Sequence, residues 1–351
     1  MRVGISGASG KIGSYTCQYL SQFMPDVEII GGTRNKSQFI KELEKKNSNF
    51  TWRQLDLKVD KSIFDFIDEI DIFVNASGAQ NLSKSIRKII LDKMPLIEVG
   101  YESYFDSLNK EEAPNTFLYG VGMAPGFTGL LSRAMIDCFE KKNENVKARK
   151  LWYLVRESIS RSAAEDMADL FASKVTINHI ASLENNAVSL PLFNNLVYPF
   201  QYYDAEATAV DEIYNINSSE TYMLREDGDL YNIAARYAGD KNGLTNYFIK
   251  ASEATAADSQ FVRMAAEVIS DHSSMTIVLE GTSQSALSGC TCAATIANLL
   301  KNGCKSRIER LAECSNWKEI YEQVISSGVF YINETYNQSM MDLGIEESGE
   351  L

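Results

Sequence analysis

Short apolar runs alternate with stretches of helical period over the first third of the chain. RVGIS at residues 2–6 is a run of β-formers, and the stretch after it places Tyr15, Tyr19 and Phe23 at helical spacing. The alternation continues through FTWRQLDL, KSIFDFIDEI, DIFVNASGA, SKSIRKIILDKM, PLIEVGYE and NTFLYGVGMAPG. This pattern predicts an α/β fold, a doubly wound parallel sheet with helices on both faces.

The hydrophobic pattern changes from residue 146. We interpret KLWYLVRES, AVSLPLFNN and MTIVLEGTS as strand-forming, and AAEDMADLFASKVTI, GDLYNIAARYAG and SQFVRMAAEVIS as helical. This predicts a second, α+β domain with a mostly open sheet. The segment GCTCAATIANLLKNG predicts an amphipathic helix, and the polar, acidic segment from Asn333 onwards predicts a frayed tail.

Glycines recur every third residue from the first strand onwards, at positions 4, 7, 10 and 13. Gly7-x-x-Gly10-x-x-Gly13 stands between a strand and a helix, the context that a dinucleotide-binding fingerprint requires. Glycine allows a sharp turn and a close approach of the backbone to a pyrophosphate, whose charge the helix N-terminus favours. The alternative is a glycine-rich loop without a ligand. The residues that we expect to contact a cofactor here are Gly7, Ser9, Gly10, Lys11 and Ile12.

The second apolar run, VEIIGGTRN, ends in Arg34 and Asn35, about 20 residues past the glycines, where this type of fold reads the ribose. An acidic residue there binds a 2′-hydroxyl, whereas an arginine suits a 2′-phosphate. Arg34 and Asn35 therefore predict NADP(H) as the cofactor. The alternative is a surface arginine at a strand end.

Loops that follow later strands carry the remaining candidates, because ligands of a doubly wound sheet bind beyond the carboxyl ends of its strands. Tyr101 is the only ordinary proton donor among the residues that these loops bring together, which makes it the candidate general acid. A packing role for Tyr101 is the alternative, with Glu102 and His179 as further acids. The expected cofactor contacts are Asn75, Ala76, Ser77, Gly78, Met123, Pro125 and Gly126.

These motifs together resemble the saccharopine dehydrogenase-like family of reductases. The resemblance rests on GASGKIG, GGTRN, FVNASGA, PLIEVGYE and LYGVGMAPGFTGLLS in this order, and beyond residue 135 it is loose. The chain departs from the family where GYES stands at residues 100–103, without the aspartate and the Gly-Glu pair that family members carry there.

The resemblance implies a Rossmann domain over residues 1–145 that binds NADP(H). It further implies an α+β substrate and dimerisation domain over residues 146–285, and C-terminal helices over residues 286–351 that return to the Rossmann domain. The implied reaction is hydride transfer at a C–N bond of an amino-acid-derived or related small substrate.

Three alternatives remain open: a nucleotide-binding regulatory protein without redox chemistry, an enoyl reductase, and an epimerase on the same fold. Epimerases of the short-chain-reductase type normally use a Tyr-x-x-x-Lys pair. We expect no such pair after a Ser- or Thr-bearing strand, and Tyr247 and Lys250 have the wrong spacing.

Two segments of the second domain hold further candidates. In RESISRSAAED, Arg161 is the candidate substrate contact, while Ser162 and Glu165 fit a helix N-cap with its capping-box partner. The aromatic residues of NLVYPFQYYDAEA favour sheet packing or a dimer interface over stacking on a substrate.

Composition narrows the classes of partner. A formal net charge of -13 argues against nucleic acid and anionic membranes, which need a basic face. No apolar run of about 18 residues is present, so we expect no transmembrane helix. Six scattered cysteines and two histidines favour reduced thiols, a cytoplasmic location and no metal site. Open-sheet surface in the second domain predicts a homodimer.

Overall fold

Two seven-stranded sheets make up the core of the part of the chain that the computed structural model describes, which is residues 1–78, 81–101, 103–108, 114–172, 187–193, 196–202, 205–228, 230–257, 259–303, 307–340 and 342–343. The strands are β1 (Arg2–Ser6), β2 (Glu28–Thr33), β3 (Phe50–Gln54), β4 (Ile72–Asn75), β5 (Leu96–Glu98), β6 (Thr116–Tyr119), β7 (Val146–Arg156), β8 (Val188–Ser189), β9 (Leu196–Tyr202), β10 (Ser218–Arg225), β11 (Phe261–Ser270), β12 (Ser274–Gly281), β13 (Arg307–Arg310) and β14 (Phe330–Tyr336).

The described α-helices connect these strands. They are α1 (Lys11–Phe23), α2 (Gln38–Lys46), α3 (Asp60–Ile67), α4 (Lys84–Lys93), α5 (Phe127–Glu140), α6 (Arg161–Ala172), α7 (Ala205–Tyr214), α8 (Leu230–Arg236), α9 (Lys241–Ala256), α10 (Gln284–Asn302) and α11 (Trp317–Ser326). The chain divides into two units, Met1–Leu130 with Ser285–Val329, and Leu131–Gln284 with Phe330–Leu351. Of the helices described, none is long and apolar enough to cross a membrane.

The first unit contains a fully parallel sheet of order β13-β6-β5-β4-β1-β2-β3. Its first six strands follow the doubly wound order, in which the chain starts in the middle and then reverses direction across the sheet. The strands are short and apolar because both faces are buried; all four residues of β4, for example, are buried. The predicted fold class is therefore confirmed for this unit.

The second unit contains a mixed sheet of order β14-β12-β11-β7-β10-β9-β8, in which only the β7–β10 pair is parallel. One face packs on α6, α8 and α9 through a cluster that includes Phe200, Leu230 and Phe248. Phe200 is 2% exposed, so this part of the aromatic segment serves sheet packing, as one of the two favoured interpretations expected. The α+β character predicted for this unit is confirmed.

Two segments differ in secondary structure from the sequence-based prediction. SQFVRMAAEVIS was expected to be helical but forms β11, because its apolar residues fill a strand that is paired on both sides and largely buried. Residues 330–336 form β14 on the edge of the second sheet instead of C-terminal helix or frayed tail. Met340 and Leu343 are buried as well, so the chain past Asn333 packs as far as the described residues reach.

Helix α10 was predicted to be amphipathic. It is instead buried on every side from Ala286 to Leu299. A Cβ on Gly289 would lie 2.5 Å from Tyr15 Cβ and 2.8 Å from the Thr16 nitrogen. Glycine at this position therefore lets α10 approach the backbone of α1 closely, within the first unit.

Candidate functional site

The glycine turn joins β1 to α1 and packs against the loop after β4. Gly7 has a φ of 74°, which favours glycine, and its N–H donates to the Gly32 carbonyl at 3.0 Å. A Cβ on Gly7 would lie 2.8 Å from Ser77 Cα, and one on Gly13 would collide with the Gly7 carbonyl oxygen. Packing within the protein thus accounts for the first and third glycines of the motif.

Packing constrains Gly10 less than Gly7 and Gly13. Its backbone is extended, with φ −76° and ψ 164°, which any residue adopts. Among the described residues, a Cβ on Gly10 would meet only the Gly7 carbonyl oxygen within 4 Å, at 3.2 Å. Gly10 is also the N-cap of α1, and no side chain caps that helix. The turn therefore leaves backbone amides and free space at a helix N-terminus, a cradle that a side chain at Gly10 would fill.

Arg34 follows the carboxyl end of β2, beside this turn in the sheet order. Its side chain is exposed, and within the described residues it has no hydrogen-bond or ion-pair partner. The neighbouring Lys36 is paired with Glu44 at 2.6 Å and lies over the Trp52 ring. Arg34 is therefore the available cation at the end of β2, and its position fits recognition of a 2′-phosphate.

Asn75, at the end of β4, is fully buried and hydrogen-bonded within the protein. Its Oδ1 accepts from Ser6 Oγ at 2.9 Å and from Ser77 Oγ at 2.7 Å, and its Nδ2 donates to Glu98 Oε2 at 2.8 Å. Arg87 Nε in turn donates to Glu98 Oε1 at 2.6 Å. The side chain of Asn75 thus holds the loop that contains Ala76, Ser77 and Gly78. Arg87 and Glu98 were not among the residues predicted from the sequence.

The turn after β6 is fixed by its own backbone and by α10. Gly126 has a φ of 130°, and a Cβ there would lie 2.7 Å from the Gly120 carbonyl oxygen. The Met123 N–H donates to Ser288 Oγ at 3.1 Å, and its side chain is 1% exposed. Pro125 is partly exposed. Of the predicted contacts in this loop, Pro125 is the one whose side chain reaches the surface of the first unit, and Met123 is buried.

Tyr101 lies after β5 in an aromatic cluster at the carboxyl ends of β5, β6 and β13. Its hydroxyl donates to Asp106, which also accepts from Tyr119 at 2.9 Å and pairs with Arg310 at 2.6 Å. The Tyr101 ring stacks on Tyr119 with centroids 6.3 Å apart. Tyr119 is fully buried, and burial is the main reason that its pKa is raised well above the ordinary value. Tyr101 is partly exposed, which leaves it the accessible phenol of this pair.

Arg161 begins α6 and is exposed, with an ion pair to Glu165 at 3.0 Å. The predicted N-cap was wrong by two residues. Ser160 accepts the Ala163 N–H at 3.2 Å and so caps α6, because the helix already begins at Arg161. Glu102 and His179 lie outside the described residues.

Within the described residues, no three or more His, Cys, Asp or Glu side chains come together in a group that could hold a metal ion. Cys17, Cys290 and Cys292 are buried where α1 and α10 meet, and Cys138 is exposed. Burial raises the pKa of both Cys290 and Cys292 to about 12, so these thiols are protonated and unreactive near neutral pH.

Comparison with known proteins supports the nucleotide site. The model of the NAD dependent epimerase/dehydratase family matches residues 3–90, which contain the glycine turn, Arg34 and the loop after β4. No curated protein matches the chain by sequence. The family match supports a nicotinamide dinucleotide as the ligand of the glycine turn.

Solved structures extend the comparison to the whole chain. Apo saccharopine dehydrogenase (L-Glu forming) from Saccharomyces cerevisiae is similar over 96% of this chain and 100% of its own, with a TM-score of 0.62 and 11% sequence identity. The DAP dehydrogenase of C. glutamicum, solved in complex with DAP, covers 91% of this chain and 95% of its own, with a TM-score of 0.47 and 12% identity. The likeness to the yeast enzyme confirms, at the level of the fold, the predicted resemblance to saccharopine dehydrogenase.

The epimerase match draws attention to the Tyr-x-x-x-Lys pair that epimerases of the short-chain-reductase type normally use. The spacing Tyr-x-x-x-Lys does occur, at Tyr237 and Lys241. Tyr237 lies in the turn after α8, and Lys241 is the first residue of α9, so the two do not share a helix. Both belong to the second unit and not to the nucleotide-binding unit.

Proposed function

We propose that this protein is an NADP-dependent oxidoreductase that transfers hydride at the C–N bond of an amino-acid-derived or related small substrate. The observation that carries the proposal is the space beside Gly10, at an uncapped helix N-terminus, because the protein limits a side chain there by one close contact, 3.2 Å from the Gly7 carbonyl oxygen. The family match over residues 3–90 and the saccharopine dehydrogenase fold support an oxidoreductase.

In this proposal, different residues of the first unit would contact different parts of the dinucleotide. The amides that follow Gly10 would bind the pyrophosphate, and Arg34 would pair with a 2′-phosphate. Asn75 would hold Ser77 and Gly78 in place through its hydrogen bonds. When bound, the nicotinamide group supplies or accepts the hydride.

The choice of NADP rests on Arg34. Its guanidinium is exposed at the end of β2, whereas Lys36, the other cation close by in sequence, is engaged by Glu44 at 2.6 Å. An unengaged guanidinium gains a charge-assisted, bidentate contact with a phosphate, but little from a ribose hydroxyl.

Tyr101 is our candidate for the proton donor. Its hydroxyl proton points at Asp106 in the structure, and that carboxylate is balanced by Arg310 at 2.6 Å. In this role Tyr101 would exchange its bond to Asp106 for one to the substrate. We further propose that Arg161, exposed at the start of α6, contributes to substrate binding in the second unit.

Consumption of NADPH in the presence of carbonyl and amine pairs tests the reaction class. Three reaction mixtures are compared: the keto acid alone, the keto acid together with an amino acid, and the amino acid alone. We expect NADPH oxidation that needs both compounds, because an imine must form before its C–N bond is reduced. NADPH oxidation with the carbonyl compound alone would contradict C–N chemistry. Tight NADPH binding with no NADPH oxidation in any of the three mixtures would favour a regulatory nucleotide-binding protein.

A further inference from the structure

A buried chain of polar side chains runs beneath the loops at the carboxyl edge of the first sheet. Ser6, Asn75 and Glu98 each have 0% of their surface exposed, and Arg87 has 5%. They form a hydrogen-bonded series, from Ser6 through Asn75 and Glu98 to Arg87, with distances of 2.9, 2.8 and 2.6 Å. The series connects the ends of β1, β4 and β5 to helix α4.

The orientation of the Asn75 amide is fixed by this series. Among the described residues, its Oδ1 accepts from Ser6 Oγ, Ser77 Oγ and the Ser77 N–H, the last at 3.2 Å. In the same part of the chain its Nδ2 donates to two groups that can only accept, Glu98 Oε2 and the Gly78 carbonyl, the latter at 3.3 Å. Asn75 therefore determines where the loop of residues 76–78 lies.

That loop is one wall of the glycine turn. Ser77 Cα lies 2.8 Å, and the Ala76 carbonyl oxygen 2.9 Å, from the place that a Cβ on Gly7 would take. A shift of the loop therefore changes the space on the β4 side of the turn, opposite to the end of β2 where Arg34 lies. The main chain of Glu98 also holds the loop after β6 in place, because the Glu98 carbonyl accepts the Val121 N–H at 3.2 Å.

The charge of Glu98 is costly to bury, and Arg87 compensates it. Arg87 lies 4.9 Å over the Phe105 ring, and its guanidinium is thereby held both by a carboxylate and by an aromatic face. Buried ion pairs add little net stability compared with apolar packing, and their best-attested use is to specify one geometry. A charged acceptor also holds the Asn75 amide more firmly than a neutral one.

We propose that Glu98, oriented by Arg87, is a positioning residue for the nicotinamide half of the bound dinucleotide. Through Asn75 it fixes the loop of residues 76–78 next to the glycine turn, and through its carbonyl it fixes the loop after β6. This inference rests on the proposed function, because it presupposes a dinucleotide in the cradle. The adenosine half, on the β2 side, does not depend on Glu98.

The test compares a whole dinucleotide with its adenosine half. NADPH and 2′,5′-ADP are titrated by calorimetry into the wild type, Glu98→Gln and Ser83→Ala, with NADH and 5′-AMP measured alongside. Ser83→Ala is the matched control, since Ser83 caps α4 by accepting the Ile86 N–H at 3.3 Å. The control weakens the helix that carries Arg87 but leaves the series intact.

We expect Glu98→Gln to weaken NADPH about ten-fold, the equivalent of about one lost hydrogen bond, with 2′,5′-ADP affinity changed by less than about two-fold. Ser83→Ala should bind both ligands as the wild type does. If Glu98→Gln does not fold, Ser77→Ala replaces it and carries the same expectation, because it removes the 2.7 Å bond of the loop to Asn75.

Equal losses for NADPH and 2′,5′-ADP would overturn the inference and show a merely structural role, and so would unchanged NADPH binding. A wild type that binds neither dinucleotide would instead overturn the proposed function. If the wild type prefers NADH, the same comparison is made with NADH as the whole dinucleotide and 5′-AMP as its adenosine half. A loss of NADH affinity with unchanged 5′-AMP affinity would then support the inference, and equal losses or unchanged NADH binding would overturn it.

Discussion

At Gly10 the chain leaves room for a side chain that it does not carry. Gly7 and Gly13 are explained by backbone contacts under 3.0 Å within the protein, but Gly10 has ordinary extended dihedrals, and a Cβ there would meet one backbone atom, the Gly7 carbonyl oxygen, at 3.2 Å. The sequence showed three equally spaced glycines and could not rank them. Only the structure separates the two that packing requires from the one that we assign to a ligand.

Gly10→Val should fold and lose dinucleotide binding. The new side chain meets little of the protein, and the poorer N-cap costs about 1 kcal/mol, so the urea unfolding midpoint should fall only slightly. Its branched Cβ occupies the space meant for the pyrophosphate. Fluorescence titration with NADPH measures the loss.

Gly13→Ala is the contrasting variant. Its Cβ collides with the Gly7 carbonyl, and overpacking of this kind costs about 1–3 kcal/mol or more, so this variant should unfold at lower urea. A Gly10→Val protein that binds NADPH like the wild type would show that the cradle lies elsewhere.

Tyr101 and Tyr119 form a matched pair for testing the acid. Both hydroxyls donate to Asp106, but only Tyr101 is partly exposed. If Tyr101 is the proton donor, Tyr101→Phe should lower kcat by about 10²-fold or more, with NADPH affinity intact. Tyr119→Phe should leave kcat within about three-fold, since it removes the same kind of bond to Asp106 without removing the acid.

Steady-state kinetics with the substrate found in the NADPH assay supply the measurement. Equal effects of the two substitutions would assign Tyr101 to packing and direct the search to other groups, including Arg161.

Local pattern predicted β1 of the first unit and β7, β12, α6 and α8 of the second unit, but it did not predict β11. RVGIS was predicted to be a strand and forms β1 over the same residues, because a short apolar run bounded by glycine fits a strand that is buried in a parallel sheet. SQFVRMAAEVIS became β11 although its alanines and methionine favour helix, because pairing with β7 and β12 outweighs local propensity. Arg87 and Glu98 were missed because a buried ion pair depends on contacts between elements distant in sequence.

The burial of two cysteines in helix α10 leads to a prediction about their reactivity. Burial raises the pKa of Cys290 and Cys292 to about 12, which means that the reactive thiolate is scarce below that pH. Cys138 is exposed and Cys304 lies outside the described residues, so both are replaced by serine in the test protein. In this Cys138→Ser/Cys304→Ser background, a thiol reagent at about pH 8 should label α10 only as fast as the protein unfolds.

Peptide mapping after labelling checks this, with the wild type as the control in which exposed Cys138 reacts quickly. Rapid labelling of Cys290 or Cys292 in the folded protein would contradict the burial of α10.

The whole molecule is expected to be a homodimer formed through its second unit. Tyr331 and Ile332 on the edge strand β14 are 52% and 48% exposed, and an unpaired edge with apolar side chains is a ready interface. Ile332→Lys should then shift the light-scattering mass from dimer to monomer. Val59→Lys, equally exposed at 48% but in the first unit, should leave the dimer intact.

A wild-type monomer at micromolar concentration would count against this interface. So would a dimer that Val59→Lys dissociates and Ile332→Lys does not.

Calorimetric titration of the wild type and of Arg34→Gln with NADPH and NADH tests the central assignment of an NADP site most directly. Lys36→Gln is the control, because Lys36 is engaged by Glu44. We predict that the wild type binds one NADPH per chain more tightly than NADH. We also predict that Arg34→Gln loses about 1.5–3 kcal/mol for NADPH with NADH little changed, and that Lys36→Gln behaves like the wild type. A wild type that binds neither dinucleotide, or an Arg34→Gln variant that weakens NADPH and NADH equally, would contradict it.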